Sequence, residues 1–362
     1  MTSRSVVVIL LLIIPSVVPV VVGSERSHQL LGTFFYPSFG HYRHWNLSGR
    51  QPPMSWASNF LPSISDSTDP AKALYDSNDT GIILWQLGKM KQAGLDFVAS
   101  SWHGRGSYED KVLWKILFEV MPRRDNPFRD LRWSIVYEGE RFADPSIEDI
   151  VRDMQYIKGN VRTSDSILRI HGKIVLFVRG GGNDQLEYAQ KWSEAARRVG
   201  DFYLLLKVFP GSSSVAQIVD AWYEFAPANR IQFDPYYWGY ASPGFSQYND
   251  TKRNLNRDPQ EFELALQRLR ESNAHLALIE TWNDWNEGTQ IEPGTDLRTG
   301  ENYGDLYVNL TRRVMKGNNY AVLPQPLGLF GITLLTIIAL LVIIPSVFST
   351  HLKNPRLHGF NL

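Results

Sequence analysis

Asp284 and Glu287 stand three residues apart in the stretch ETWNDWNEGTQIEP (residues 280–293), among Glu280, Glu292, Trp282 and Trp285. Cleavage of a glycosidic bond needs one carboxyl group to protonate the leaving oxygen and a second to act as nucleophile or base. One loop carrying two acids at this spacing can hold both beside a single bond. Repulsion between two carboxylates in a partly dry cleft raises the pKa of one, which separates an acid from a base near neutral pH. The same D-x-x-E spacing is also a capping box, with Asp284 capping a short helix whose third residue is Glu287, and a solvated acidic turn fits it too. The flanking indoles and the position directly after the apolar run LALI (276–279) bring the chemical reading level with these.

Other polar groups carry weaker signals. His41 and His44 have a spacing that could bind metal, but no third ligand stands out, so a hydrogen-bonding role is expected. Gly180 to Gly182 lack the spacing of a phosphate-binding loop and read as a turn. Glu280 and Glu292 read as salt-bridge partners, and Arg179 as the partner of a neighbouring acid.

These residues need a scaffold, and the chain alternates apolar β-rich runs with amphipathic helical ones. Strands are expected at 30–37, 95–102, 131–138, 172–179, 201–209, 230–238 and 275–282. Helices are expected at 81–93, 110–121, 144–159 (capped by Asp144, with Pro145 first), 184–199, 213–225, 258–272 and 303–316. Strands this apolar, each followed by a helix, argue a parallel sheet covered on its faces. A (β/α) barrel is the first reading and a doubly wound open sheet the second. Seven strands are legible, so an eighth lies in the loop from 239 to 257 or the barrel is incomplete.

In a parallel barrel the active site is built at the C-terminal strand ends. Those ends collect Tyr36, Trp102 with His103, Tyr137 with Glu138, Arg179, Tyr236 with Tyr237, and the group from Glu280 to Glu287. Acids and aromatic rings on one rim describe a carbohydrate cleft, with rings stacked under sugars and carboxylates doing acid–base work.

The two ends of the 362-residue chain differ from its middle. Residues 1–23, one Arg followed by an apolar stretch and a small-residue exit, read as a secretory signal peptide or an uncleaved signal anchor. Residues 24–317 form the barrel domain and 318–326 a linker. Residues 327–348 carry no charge and are long enough to cross a bilayer. The tail, 349–362, holds His351, Lys353 and Arg356 and is expected in the cytoplasm, with the domain outside the cell or in a lumen. The chain has no cysteine, which excludes disulfides, thiolate metal sites and cysteine nucleophiles. Formal net charge is zero and no basic block points to nucleic acid. Sequons at Asn46, Asn78, Asn249 and Asn309 permit glycosylation.

NDWNEGTQIEP resembles the signature loop of glycoside hydrolase family 99, the endo-α-mannosidases and their bacterial relatives. FFYPSFG followed by HWN, DTGIILWQLGKMKQAGLDFVASSW, HGKIVLFV, FDPYYWGYASPGF and YGDLYVNLTRR resemble further family segments in the family's order, across most of residues 30–316. The resemblance implies an α/β fold of the (β/α)8 TIM-barrel type and a retaining mechanism that needs no metal or cofactor, acting on a glycan. It implies Asp284 as the base that deprotonates the sugar 2-hydroxyl, giving a 1,2-anhydro sugar, and Glu287 as the acid/base. Glu138 matches a sugar-contacting position, and Tyr36, Trp45, Trp102 and Tyr237 resemble subsite-lining aromatics. With His44 and Asn283 these make up the expected substrate-binding set. Two departures stand out. The family usually has Glu at the position of Asp284, and the segment between Phe245 and Ala265 is shorter, which is expected to remove a helix and a strand. They leave open a non-catalytic glycan-binding protein, or a barrel that serves polysaccharide assembly.

Overall fold

Apolar runs buried on both faces become the central strands. The computed structural model describes residues 29–40, 45, 60–64, 74–139, 144–180, 185–208, 215, 217–234, 237–247 and 252–317. The expected signal segment, linker, membrane span and tail lie outside the described residues, as do His41, His44, Tyr236, Gly181 and Gly182. No helix among the described residues is long and apolar enough to cross a membrane.

The first half of the chain holds β1 (Leu30–Phe35), β2 (Phe60–Pro62), α1 (Thr80–Gln92), β3 (Phe97–Trp102), α2 (Tyr108–Lys115), β4 (Arg132–Tyr137) and α3 (Ile147–Val161). Then come β5 (Arg169–Ile170), β6 (Lys173–Val178), α4 (Gln185–Val199), β7 (Phe202–Lys207), β8 (Ala221–Tyr223), β9 (Ile231–Phe233) and β10 (Trp238–Ala241). The remainder is α5 (Pro259–Glu271), β11 (Leu276–Ile279), β12 (Gly294–Asp296), β13 (Glu301–Gly304) and α6 (Leu306–Lys316). A π-helical turn over Ile116–Val120 extends α2.

Parallel ladders join the strands in the order β8-β7-β6-β4-β3-β1-β11-β10, and β9 adds antiparallel to β10. The sheet curls on itself. Phe34 of β1 meets Phe177 of β6 and Tyr223 of β8, each with ring centroids 5.7 Å apart, although β1 and β8 are far apart in the strand order. Side chains alternate across each strand, so Phe34, Phe177 and Tyr223 fill the interior and Phe35 and Trp133 meet on the outside. Gly32 is required below Phe34, since a Cβ there would stand 2.2 Å from the Phe97 ring. Between β8 and β10 no backbone ladder closes the ring among the described residues. Trp222 packs edge-on against Trp238 with centroids 5.3 Å apart, and Gln232 of β9 donates a hydrogen bond to Glu224 just past β8.

Three expectations are corrected. Residues 213–225 contain the strand β8, not a full helix, and the single strand expected at 230–238 is two: antiparallel β9 and parallel β10. The missing parallel strand is thus present, and β10 reaches into the loop where an eighth was sought. The cap of α3 is Ser146, in a capping box with Asp149, in place of Asp144. A small antiparallel sheet β13-β12-β2, with no counterpart among the expected strands, joins the two strands directly after the acidic loop to β2 near the start of the domain.

Candidate active site

The loop that follows β11 is fixed on every side. Trp282 N donates to Phe34 O of β1 at 2.8 Å. Thr281 N donates to Thr289 O at 2.8 Å and Ile291 N to Thr281 O at 3.0 Å, so the loop's two stems pair. The Thr281 and Thr289 hydroxyls meet at 2.9 Å, and Thr281 Oγ1 accepts from Asp284 N at 2.9 Å. Asp284 Oδ1 accepts from Glu287 N at 3.1 Å, which realises the turn-capping arrangement that the D-x-x-E spacing permits. From outside, Arg257 donates to Gly288 O at 3.0 Å and to Gln290 O at 2.9 Å, while its guanidinium lies over the Tyr307 ring at 4.3 Å. Gly288 has φ of 63°, and a Cβ there would meet Phe60 at 2.7 Å and Ser246 O at 3.0 Å. Arg257 and the threonine pair carry no motif in the sequence, although the two Thr residues flank the D-x-x-E group closely.

The indoles of this loop are not exposed platforms. Trp282 and Trp285 are fully buried. Both donate their ring N–H to Glu292, at 3.1 and 2.9 Å, and Tyr75 OH at 2.8 Å and Gln86 Nε2 at 2.7 Å complete a set of four donors. Glu292 is therefore a hub behind the loop, held by neutral donors, and the expected salt bridge is replaced by them. Burial pushes its carboxyl up to about 7, with Gln86, Tyr75, Trp285 and Trp282 opposing the rise. Trp45 belongs to the same cluster: it is buried, donates to Tyr75 O at 2.9 Å and meets the Phe39 ring at a tilt, centroids 4.2 Å apart. Asn283 is spent on the scaffold too. It accepts from Tyr36 N at 2.8 Å and donates to Tyr36 O at 3.0 Å and to Tyr75 OH at 3.1 Å.

Tyr36, held by this clamp, faces the interior at the C-terminal rim. Its hydroxyl accepts from Arg179, which lies over the Phe225 ring at 3.8 Å and pairs with Glu138 Oε1 at 3.5 Å. Ser101 donates to the same Glu138 oxygen at 3.1 Å. Burial pushes the Tyr36 phenol well up; Arg179 opposes, and Asp284, Glu138 and Glu287 add to the rise. One phenol thus feels all three acids. Asp284 is 9% exposed and Glu138 1%, so the group is recessed but touches solvent. Glu138 Oε2 and Glu287 Oε2 have no hydrogen-bond partner among the described residues. The arrangement can bind a hydroxyl-rich ligand and move protons at its atoms.

The structure therefore brings together Tyr36, Glu138, Asp284 and Glu287, with Arg179 between them. Trp102 does not join them: it points to the outer face, donates to Asp110 at 2.7 Å and is fully buried. Tyr237 sits at the opposite rim. It precedes β10, level with the start of β11, is 44% exposed, and its carbonyl accepts from Leu276 N at 3.1 Å. Among the described residues no group of three or more His, Asp or Glu side chains is placed to hold a metal ion.

An α/β protein with a curled, barrel-like sheet and an acid-lined C-terminal rim is what these features define. Comparisons with known proteins bear on that class. Residues 207–323 match a family model described as a domain of unknown function, DUF5010. The fold is similar to that of the family 99 endo-α-mannosidase from Bacteroides thetaiotaomicron in complex with bis-tris-propane, at 18% identity and a TM-score of 0.60, covering 79% of this chain and 96% of that one. A second structure of that enzyme matches at 18% identity, 80% and 98% coverage and a TM-score of 0.59. A structure titled glycoside hydrolase-like protein matches at 14% identity, 79% and 94% coverage and a TM-score of 0.52. At these identities the likeness is one of fold.

Proposed function

We propose that the chain is a glycoside hydrolase that cleaves α-mannoside-like glycans with retention, on a (β/α)8-type barrel. The observation that carries this reading is the loop pair Asp284 and Glu287, fixed by its own hydrogen bonds on the rim that holds Glu138, Arg179 and Tyr36. In the proposed sequence Asp284 takes the proton of the sugar 2-hydroxyl while that oxygen attacks C1. Glu287 protonates the departing oxygen, and a 1,2-anhydro sugar forms. Glu287, now ionised, takes a proton from water, the water oxygen bonds to C1, the anhydro C1–O2 bond opens, and Asp284 returns its proton to O2. Glu138, Tyr36 and Arg179 orient the ring. Trp45, Trp102 and Asn283 act from behind, by holding the loop and the strand ends. His44 remains a candidate for an extended binding surface, and Tyr237, on the opposite rim, does not. The uncharged run at 327–348 followed by a basic tail supports a membrane anchor with the domain facing outward.

A second reading, a glycan-binding protein without turnover, is favoured by one feature. The Asp284 carboxylate is a methylene shorter than Glu and already accepts the Glu287 amide. Glu287→Gln decides between them on a panel of α-glycans. The swap keeps volume and hydrogen bonds but removes a proton donor, and general acid catalysis contributes roughly 100- to 10,000-fold. A loss of that size with binding retained supports the hydrolase; wild-type rates in the variant remove Glu287 from the mechanism.

A further inference from the structure

Glu280 has no place in the chemistry above, yet it lies within electrostatic reach of Arg179 and Glu287 on the rim. It directly follows β11, on the interior side that it shares with Leu278, and it is completely buried. Neither of its carboxyl oxygens has a side-chain hydrogen-bond partner among the described residues; the Ala226 backbone amide is the one group that acts on it as a donor, and weakly. The interior of a parallel barrel is ordinarily filled by branched apolar side chains, and a buried carboxyl left unpaired is costly. A Leu would serve the scaffold better. The strongest charges that bear on Glu280 belong to the rim: Arg179, Glu287 and Lys207.

We propose that Glu280 is a substrate-contacting residue, whose carboxyl group exchanges hydrogen bonds with neighbouring hydroxyl groups of the sugar seated deepest in the cleft. The proposal rests on the reading of this rim as a glycan site. Burial pushes the carboxyl well above the usual range; Arg179 opposes, Glu287 adds to the rise and Lys207 opposes. A neutral acid both donates and accepts, and so does a sugar hydroxyl. Glu138 Oε2 and Glu287 Oε2, also unpartnered, offer further acceptors, while Arg179, just past β6, and Lys207, at the end of β7, supply donors. The ligand chemistry is that of a polyol ring, whose hydroxyl groups can accept from the two cations and donate to the unpartnered carboxyl oxygens.

The test compares wild type with Glu280→Leu and Glu280→Gln in the full chain. Binding of methyl α-D-mannopyranoside is followed by ligand-observed NMR, turnover on α-mannosides separately, and thermal unfolding alongside. Glu280→Leu should raise the melting temperature, because it removes an unpaired buried polar group, and weaken glycoside binding about tenfold or more. Glu280→Gln should fall between the two. Opposed changes in stability and binding are the mark of a ligand contact, because a structural role would lower stability. Unchanged binding in a folded Glu280→Leu protein overturns the assignment, even if turnover persists and the hydrolase reading stands. No glycoside binding by wild type overturns it as well. Binding without turnover, weakened by Glu280→Leu, upholds Glu280 while the hydrolase reading falls.

Discussion

Glu292 links the site to pH through the stability of its loop. Four donors converge on this completely buried carboxyl, and burial still outweighs them, raising it from 4.5 to about 7. An acid raised in the folded state binds more protons there than in the unfolded chain, so stability falls as pH rises between the two values. At about 1.36 kcal/mol per pH unit, the rise to near 7 corresponds to about 3 kcal/mol, present below pH 4.5 and lost above 7. Glu292→Gln does not titrate. Its amide keeps one acceptor oxygen and turns an NH2 toward two donors, which costs hydrogen bonds to a charged group worth roughly 1.5–3 kcal/mol each at high pH. The informative quantity is the difference between the two proteins. The variant should be most disfavoured near pH 4.5 and should regain about 3 kcal/mol relative to wild type by pH 8. Urea unfolding at closely spaced pH values measures this directly. Parallel stability curves for the two proteins from pH 4.5 to 8 would refute the reasoning, because Glu292 would then titrate alike in folded and unfolded chains.

Three further outcomes concern the acidic rim, the opposite rim and the membrane topology. Asp284→Glu should preserve or raise turnover, since a longer arm reaches further, whereas Asp284→Asn and a 2-deoxy substrate should abolish it. A trapped ester on Asp284 from a fluorosugar would instead identify a direct nucleophile. Tyr237→Ala should leave turnover on a short substrate within about twofold, because its ring lies on the opposite rim from the acids and substitutions away from special features are near neutral; a large loss would show that ligands extend there. Protease added to intact cells should remove the domain and spare a basic C-terminal fragment, and protection of the domain would reverse the proposed topology.

The long parallel strands were legible because each is apolar on both faces and bounded by turn residues. β8 was not, since three residues between Asp220 and Glu224 carry too little pattern to compete with the helical spacing around them. Placing one strand over 230–238 put Tyr237 at a C-terminal end. The real break between β9 and β10 puts it at an N-terminal one, so a boundary error became an error of rim. The D-x-x-E pair was visible as chemistry, but its Trp neighbours were misread as stacking surfaces. Nothing local reveals that their N–H groups are directed to Glu292, seven and ten residues on. Arg257 was invisible for the same reason: its partners are backbone carbonyls supplied by a distant loop.

The junction of β8 with β10 has a meaning for how such a cleft can change. Everywhere else around the sheet, amide ladders set the distance between neighbouring strands and fix which residue stands beside which. At this junction the described residues are joined by two indoles in edge contact, a Gln–Glu hydrogen bond and one from the Tyr240 hydroxyl to the Ala226 carbonyl, not by a ladder. Among the described residues, this is the place where no ladder fixes the circumference of the sheet. Residues inserted or lost between Ala226 and Arg230 can widen or narrow the mouth without breaking the β9–β10 ladder or touching the acidic loop, so the size of the ligand admitted can drift while the acidic loop stays put.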